Sequence, residues 1–270
     1  MATFLEVTAI VGGAELAAAV LLTLLPRLGQ PGRAVAEACA RAPLLDLVFA
    51  LLTWIPWLAA GLLAGWPGLA GAIVGQVIVV VLWVRGHELA HREAVRGPRL
   101  VKVHIRLVGW WRNHAGLWLS ALALPPLWMV RFTEILLYPF LEWCLGFPPY
   151  RHGDWINLSR YKFRDLVGHD LIWCLYCDWM TGVYALGGDM LRNVESFWCP
   201  IRFHDAKKCV NCAADFPDVD DGWVPAEGSM ADVEQTLLRF YGEGRREWFG
   251  HPARRAAEGT PPQKPTPPPG

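Results

Sequence analysis

The chain has 270 residues, with 25 basic and 25 acidic side chains and therefore no formal net charge at pH 7. This balance gives no reason to expect a nucleic-acid partner, because proteins that bind nucleic acids carry basic surfaces that neutralise phosphates. Hydrophobic residues make up 53% of the sequence, which is high for a soluble protein, and they are concentrated before residue 150. We therefore expect a membrane domain at 1–148, a cytosolic cysteine-rich domain at 149–258 and a disordered proline-rich tail at 259–270.

Three apolar runs approach the ~20 residues that a helix needs to cross a hydrocarbon core. They are Thr8 to Leu25, Leu44 to Ala64 and Leu69 to Val84. The segment from Gly109 to Pro148 is also apolar, but Pro125 and Pro126 interrupt it, and we expect re-entrant or interfacial helices there. The predicted fold is mainly α-helical, with about three membrane spans and a small cysteine-rich domain after them.

The basic residues predict how these spans are oriented, because short cytoplasmic loops carry an excess of arginine and lysine. Such residues follow the first and third runs: Arg27, Arg33, Arg41, Arg85, Arg92, Arg96, Arg99, Lys102 and Arg106. The turn from Gly65 to Gly68 carries no charge. We therefore expect a bacterial-type inner-membrane protein whose N-terminus lies outside and whose C-terminal domain is cytoplasmic.

The cytosolic part is predicted to contain three further helices. They lie around Tyr161 to Met180, Gly187 to Ser196 and Met230 to Trp248. The last of them is amphipathic, with Val233 and Leu237 at helical spacing and Asp232 near its start.

A histidine motif follows the third apolar run. His87 and His91 are four residues apart, so both lie on one face of a helix and can bind the same metal ion. In zinc peptidases with this H-E-x-x-H spacing, the glutamate, here Glu88, is the general base that activates a metal-bound water. A second interpretation is that both histidines are hydrogen-bonded at a helix end and catalytically idle.

The same segment, Gly86-His87-Glu88-Leu89-Ala90-His91-Arg92, resembles the first histidine box of membrane-bound alkane monooxygenases and of fatty-acid desaturases and hydroxylases. The resemblance implies an oxygen-activating iron site, a lipid-like or other hydrophobic substrate, and an external electron donor. Those families have a later H-x-x-H-H box, which this chain lacks. His114 and His169 are the candidates for the further iron ligands.

Five of the seven cysteines form a second candidate metal site. They are Cys174, Cys177, Cys199, Cys209 and Cys212. Two C-x-x-C pairs brought together by a loop can bind zinc or iron through thiolates, and a reducing cytosol favours metal binding over disulfides. The spacing resembles zinc ribbons and rubredoxins, but Asp178 and Ala213 stand where rubredoxin knuckles usually have glycine, which favours zinc. The alternative is that the first pair packs as buried thiols.

Three functions are therefore compatible with the sequence. The leading hypothesis is a membrane metalloenzyme, an iron-dependent oxidoreductase acting on a hydrophobic substrate at the cytoplasmic face and in contact with membrane lipids. The alternatives are a zinc-dependent membrane metallopeptidase and a non-catalytic membrane assembly protein with a structural zinc site. Glu15 is a separate feature, because a carboxylate within an apolar span usually faces a polar cavity or partner, or is neutral and hydrogen-bonded.

Overall fold

The computed structural model describes residues 1–163, 165–202 and 222–242. Within these ranges the chain is helical, and the only β-pairing consists of two isolated bridges. The chain divides into two compact units, the first formed by residues 1–127 and 151–183 and the second by the remainder. This division differs from the predicted boundary at residue 148, and the predicted three-part organisation stays a prediction.

The α-helices are numbered in chain order. The first six are α1 Ala2–Leu24, α2 Gly29–Cys39, α3 Leu44–Leu51, α4 Trp54–Ala90, α5 Arg92–Arg96 and α6 Leu100–Val108. The other six are α7 Trp110–Ala121, α8 Leu124–Phe132, α9 Tyr138–Leu145, α10 His152–Trp155, α11 Gly168–Trp198 and α12 Met230–Tyr241.

Three helices in the described part of the chain are long and apolar enough to cross a membrane: Ala2–Arg27, Trp54–Ala90 and Trp110–Leu145. The predicted mainly helical fold with about three apolar spans is confirmed at this level. The third helix, however, covers the segment for which we predicted re-entrant or interfacial helices. Pro125 and Pro126 do not end it, because they occupy the first turn of α8, where a missing backbone N–H is tolerated.

Helix α4 consists of two arms, residues 54–64 and 66–90, because Gly65 has a left-handed φ of +63°. The chain folds back at this glycine: a Cβ atom built on Gly68 would lie 2.4 Å from the carbonyl oxygen of Ala60. The turn that the sequence predicts around Gly65 is therefore present. The predicted run from Leu44 to Ala64 is interrupted, since α3 ends at Leu51 and α4 begins at Trp54.

The second arm of α4 packs closely against α1, and the two run in the same direction. Thr8 Oγ1 donates to the carbonyl oxygen of Gly71 at 3.1 Å, and further along both helices Trp83 Nε1 lies 3.3 Å from Thr23 Oγ1. A Cβ on Gly71 would lie 2.6 Å from the Phe4 carbonyl oxygen. Glycine at this position therefore allows the backbones to approach, as small residues do in membrane helix pairs.

Elsewhere in the first unit, helix α3 packs against the first half of α11. The rings of Phe49 and Trp179 stack at 4.8 Å, and Trp179 Nε1 donates to Asp46 Oδ1 at 3.3 Å. The segment after α2 pairs antiparallel with the segment after α10, through a bridge between Arg41 and Asn157. These contacts fix the position of α11 within the first unit.

The second unit has a buried polar core. Arg131 and Glu134, one turn apart, form an ion pair at 2.6 Å, with side chains that are 0% and 2% exposed. Asn193 Nδ2 donates to Tyr150 Oη at 2.6 Å. The charges of Arg131 and Glu134 therefore compensate each other, which allows both residues to lie buried within an apolar helix.

Two predicted helices are a single helix in the structure. The segments Tyr161 to Met180 and Gly187 to Ser196 fall largely within one helix, α11, which begins at Gly168 and not at the predicted Tyr161. The glycines between them do not end it: a Cβ on Gly187 would lie 3.0 Å from Glu134 Oε1, so the glycine serves close packing. Helix α12 begins at Met230, as predicted, and Ser229 caps its start through a capping box. It ends at Tyr241, before the predicted end at Trp248, because the backbone of Gly242 is extended.

Candidate functional site

The H-E-x-x-H motif lies at the end of the second arm of α4. His87 and Glu88 belong to its last turn, and His91 is the capping residue after Ala90. The rings of His87 and His91 stack with centroids 4.3 Å apart, so the two do share a helix face, as predicted. His91 Nδ1 lies 2.9 Å from the carbonyl oxygen of His87. Because a carbonyl oxygen can only accept, Nδ1 of His91 carries the proton and its Nε2 keeps a free lone pair.

Glu88 is paired with a buried arginine. Arg99 Nη1 donates to Glu88 Oε1 at 2.9 Å, and Arg99 Nε donates to Asp170 Oδ2 at 3.0 Å. The Arg99 side chain is 5% exposed, and those of Glu88 and Asp170 are 15% and 6% exposed. One guanidinium thus compensates two carboxylates in a water-poor site, where removal of one partner leaves a buried charge unpaired.

Asp170 connects this ion network to helix α6. Its two carboxylate oxygens accept the backbone N–H groups of Leu100 and Val101, each at 3.1 Å, and thereby cap the N-terminus of α6. Burial opposes the charge on Asp170, but contact with His169 and Arg99 outweighs burial and lowers the pKa of Asp170. Burial likewise opposes the charge on Arg99, yet hydrogen bonds to Asp170 and Glu88 raise its pKa.

The start of α11 is attached to the motif through its backbone. The Gly168 N–H donates to His87 Nδ1 at 3.1 Å, and the His169 N–H donates to Glu88 Oε1 at 3.3 Å. A neutral His87 that accepts through Nδ1 carries its proton on Nε2, so neither ring nitrogen is free to bind a metal. This geometry disfavours His87 as a metal ligand.

Position 168 favours glycine for two reasons. Its φ is +53°, and a Cβ atom would lie 2.2 Å from Glu88 Cγ. A larger residue would therefore strain the backbone and also displace the carboxylate that pairs with Arg99. We use the name helix joint for the set His87, Glu88, Arg99, Gly168 and Asp170.

The other two predicted histidine ligands lie beside the helix joint. The rings of His114 and His169 are in edge contact, with centroids 5.6 Å apart. His169 Nδ1 is buried without a hydrogen bond, and its distance of 3.5 Å from Asp170 Oδ1 is too long for one. The structure therefore brings four predicted histidines from three segments into one region. Even so, the described residues contain no group of three or more His, Cys, Asp or Glu side chains that could hold a metal ion.

The cysteines are only partly described. Cys174 and Cys177 lie one turn apart on α11, both partly exposed and neither in a disulfide. Burial raises the pKa of Cys174, which disfavours a free thiolate. Cys199 is exposed after the end of α11, in the second unit. Cys209 and Cys212 lie outside the described residues, so the four-cysteine site stays a prediction.

Arg99 and Gly168 are the site residues that sequence reasoning missed. Arg99 was counted among the basic residues of a cytoplasmic loop, and nothing local distinguishes it from its neighbours. The Gly168-His169-Asp170 sequence carried a weak signal, because glycine before a helix start often marks a left-handed backbone position.

Comparison with known proteins gives no relative for this arrangement. No protein-family model matches the chain, and neither a curated protein nor a solved structure is significantly similar to it.

Proposed function

We propose that this chain is an integral membrane assembly protein in which the H-E-x-x-H segment serves structure rather than catalysis. The observation that carries the proposal is the engagement of the motif. Glu88 pairs with Arg99, and His87 accepts the Gly168 N–H, so two of the three motif residues that a zinc peptidase would need are committed to packing. The motif thereby fixes the start of α11, which carries Cys174 and Cys177, to the end of a membrane helix.

The parallel arrangement of α1 and the second arm of α4 supports the proposed orientation. Both helices end on the same side, so the basic residues that follow each of them lie on that side as well. An excess of arginine and lysine marks the cytoplasmic side. We accordingly place the N-terminus outside and the helix joint at the cytoplasmic face.

The cysteines are the proposed structural metal site. Cys174 and Cys177 would supply two thiolates from one helix face, and Cys199, Cys209 and Cys212 are the candidates for the others. Bound zinc would cross-link chain segments without taking part in a reaction.

Elemental analysis of the detergent-purified chain tests this proposal. The comparison uses wild type, a His87→Ala/His91→Ala double variant and a Cys174→Ser/Cys177→Ser double variant. We expect zinc to be lost with the cysteines and retained without the histidines, while the histidine variant melts at a lower temperature. Metal that depends on the histidines would contradict the proposal.

An iron-dependent oxidoreductase is the second candidate, because two histidine pairs, His87 with His91 and His114 with His169, lie in the same region and His169 Nδ1 is buried without a hydrogen bond. The donors as placed do not fit an iron site, since His87 is engaged and no three ligands of the described chain face one point. Iron that copurifies with wild type and is lost in both His114→Ala and His169→Ala would favour this function over the assembly protein.

The peptidase alternative requires Glu88 as the general base. In the assembly protein, Glu88→Gln removes an ion pair with Arg99 and lowers the melting temperature. In a peptidase the same change would abolish hydrolysis while the melting temperature and the bound zinc are retained. Measuring both quantities on one purified variant separates the two functions.

A further inference from the structure

A carboxylate lies in the middle of the first candidate span, with no charged partner in the described part of the chain. Glu15 belongs to α1 and is 7% exposed. It accepts one hydrogen bond, from Gln76 Nε2 at 2.8 Å. Among the described residues it forms no ion pair, and neither α1, residues 52–53 nor either arm of α4 brings a charged or titratable side chain to it. An ionised carboxylate in that position would be strongly disfavoured.

The interrupted helix supplies further acceptors at the same place. Because α3 ends at Leu51 and α4 begins at Trp54, the carbonyl groups at the interruption lack helical partners. The carbonyl oxygens of Leu52 and Thr53 lie 3.2 Å and 2.8 Å from Gln76 Nε2. Interrupted membrane helices are known to bind cations through such carbonyl groups.

The donors around Gln76 are fewer than the acceptors. Its amide nitrogen carries two hydrogens but faces three oxygens, those of Glu15, Leu52 and Thr53. Its own oxygen already accepts a hydrogen bond from Trp57 Nε1. Two hydrogens are therefore shared among three oxygens, so at least one oxygen receives less than a full hydrogen bond, which is unfavourable in a hydrocarbon environment.

We propose that Glu15, with the carbonyl oxygens of Leu52 and Thr53, forms an intramembrane binding site for a single monovalent cation, H⁺ or Na⁺. The charge balance sets the valence: one carboxylate binds one positive charge to give a neutral site. A proton converts the carboxylate to a neutral carboxylic acid and adds one hydrogen-bond donor to a site that has more acceptors than donors. Na⁺ would be held by the same oxygens, the ligand type that hard cations prefer.

Labelling with dicyclohexylcarbodiimide tests the site on the full-length protein in detergent. This reagent is apolar and reacts with protonated carboxyl groups in apolar surroundings. We expect one adduct at Glu15 by intact mass and peptide mapping, with a yield that falls as pH rises. The adduct should be absent in Glu15→Gln and retained in the matched control Glu6→Gln, which alters an exposed glutamate on the same helix.

The effect of NaCl on the labelling rate distinguishes Na⁺ from H⁺ as the bound cation. Slower labelling in NaCl than in choline chloride at equal ionic strength assigns Na⁺, and equal labelling assigns H⁺ alone. Because mapping is done on wild type, the test does not depend on the folding of a variant. The proposal is overturned if folded wild type yields no adduct at Glu15 at any pH, or if its labelling is independent of pH.

Discussion

Glu88 is largely covered and Glu15 is buried, both in the first unit, yet they have opposite surroundings. Glu88 pairs with the Arg99 guanidinium at 2.9 Å, in a site where a second carboxylate, Asp170, shares the same cation. Glu15 meets a neutral amide and two nearby backbone carbonyls. The comparison shows that the surroundings of a carboxylate, and not its burial alone, decide where its counter-charge comes from. Glu88 has a resident arginine, whereas the described residues offer Glu15 none, and we propose that its counter-charge is a cation from solution.

The largest expected effect comes from removing the shared cation. Arg99→Met leaves Glu88 and Asp170 buried and unpaired, and we expect it to lower the free energy of unfolding by about 3–5 kcal/mol. Thermal unfolding of the detergent-purified protein measures the effect. The matched control is Arg85→Met, because Arg85 is 76% exposed and lies 3.7 Å from Glu88. Its effect should stay below about 1 kcal/mol. Equal effects of the two variants would show that Arg99 is not the shared counter-charge.

The backbone contact of the helix joint gives the next largest effect. Gly168→Ala places a methyl group against Glu88 and strains a residue with φ of +53°. We expect a destabilisation of about 1–3 kcal/mol in the same unfolding measurement. Gly116→Ala is the control, since a Cβ there meets no atom within 4 Å. An unchanged melting temperature for Gly168→Ala would contradict the described contact between α11 and Glu88.

Acid should weaken the helix joint through Asp170. Because its pKa is lower in the folded protein than in the unfolded chain, Asp170 stabilises the fold fully above the ordinary value of about 4. That contribution is lost as the pH falls through the folded pKa. Melting temperatures measured from neutral pH to about pH 3 should therefore decline less steeply in Asp170→Asn than in wild type. Parallel profiles would remove Asp170 as a source of the acid sensitivity.

The smallest expected effect is at Glu15. If this group is neutral in the folded protein, Glu15→Gln exchanges one neutral group for another of similar shape, and the free energy of unfolding should change by less than about 1 kcal/mol. Glu88→Gln, which removes an ion pair to buried Arg99, should have a larger effect. Equal losses of unfolding free energy in the two variants would contradict the proposal, because they would indicate that Glu15, like Glu88, is paired with a counter-charge within the protein.

The sequence predicted the helical class and most of the apolar runs, because hydrophobic content is a local property. It did not predict the continuity of Trp110–Leu145, since the compensation of Arg131 by Glu134 depends on their burial. For the site, spacing correctly placed His87 and His91 on one face. It could not reveal that Arg99 and the Gly168 N–H engage the motif, because these partners come from later segments that only the folded chain brings together.

The hydrogen bond between Gln76 and the carbonyl oxygen of Leu52 joins residues 24 positions apart, and this separation has a consequence for biosynthesis. The interrupted segment leaves the ribosome before the residue that satisfies its carbonyl groups. A nascent chain that ends before residue 76 would expose two unpaired oxygens to lipid, each disfavoured by several kcal/mol. Helix α3 and both arms of α4 should therefore leave the translocon together, as one inserted hairpin.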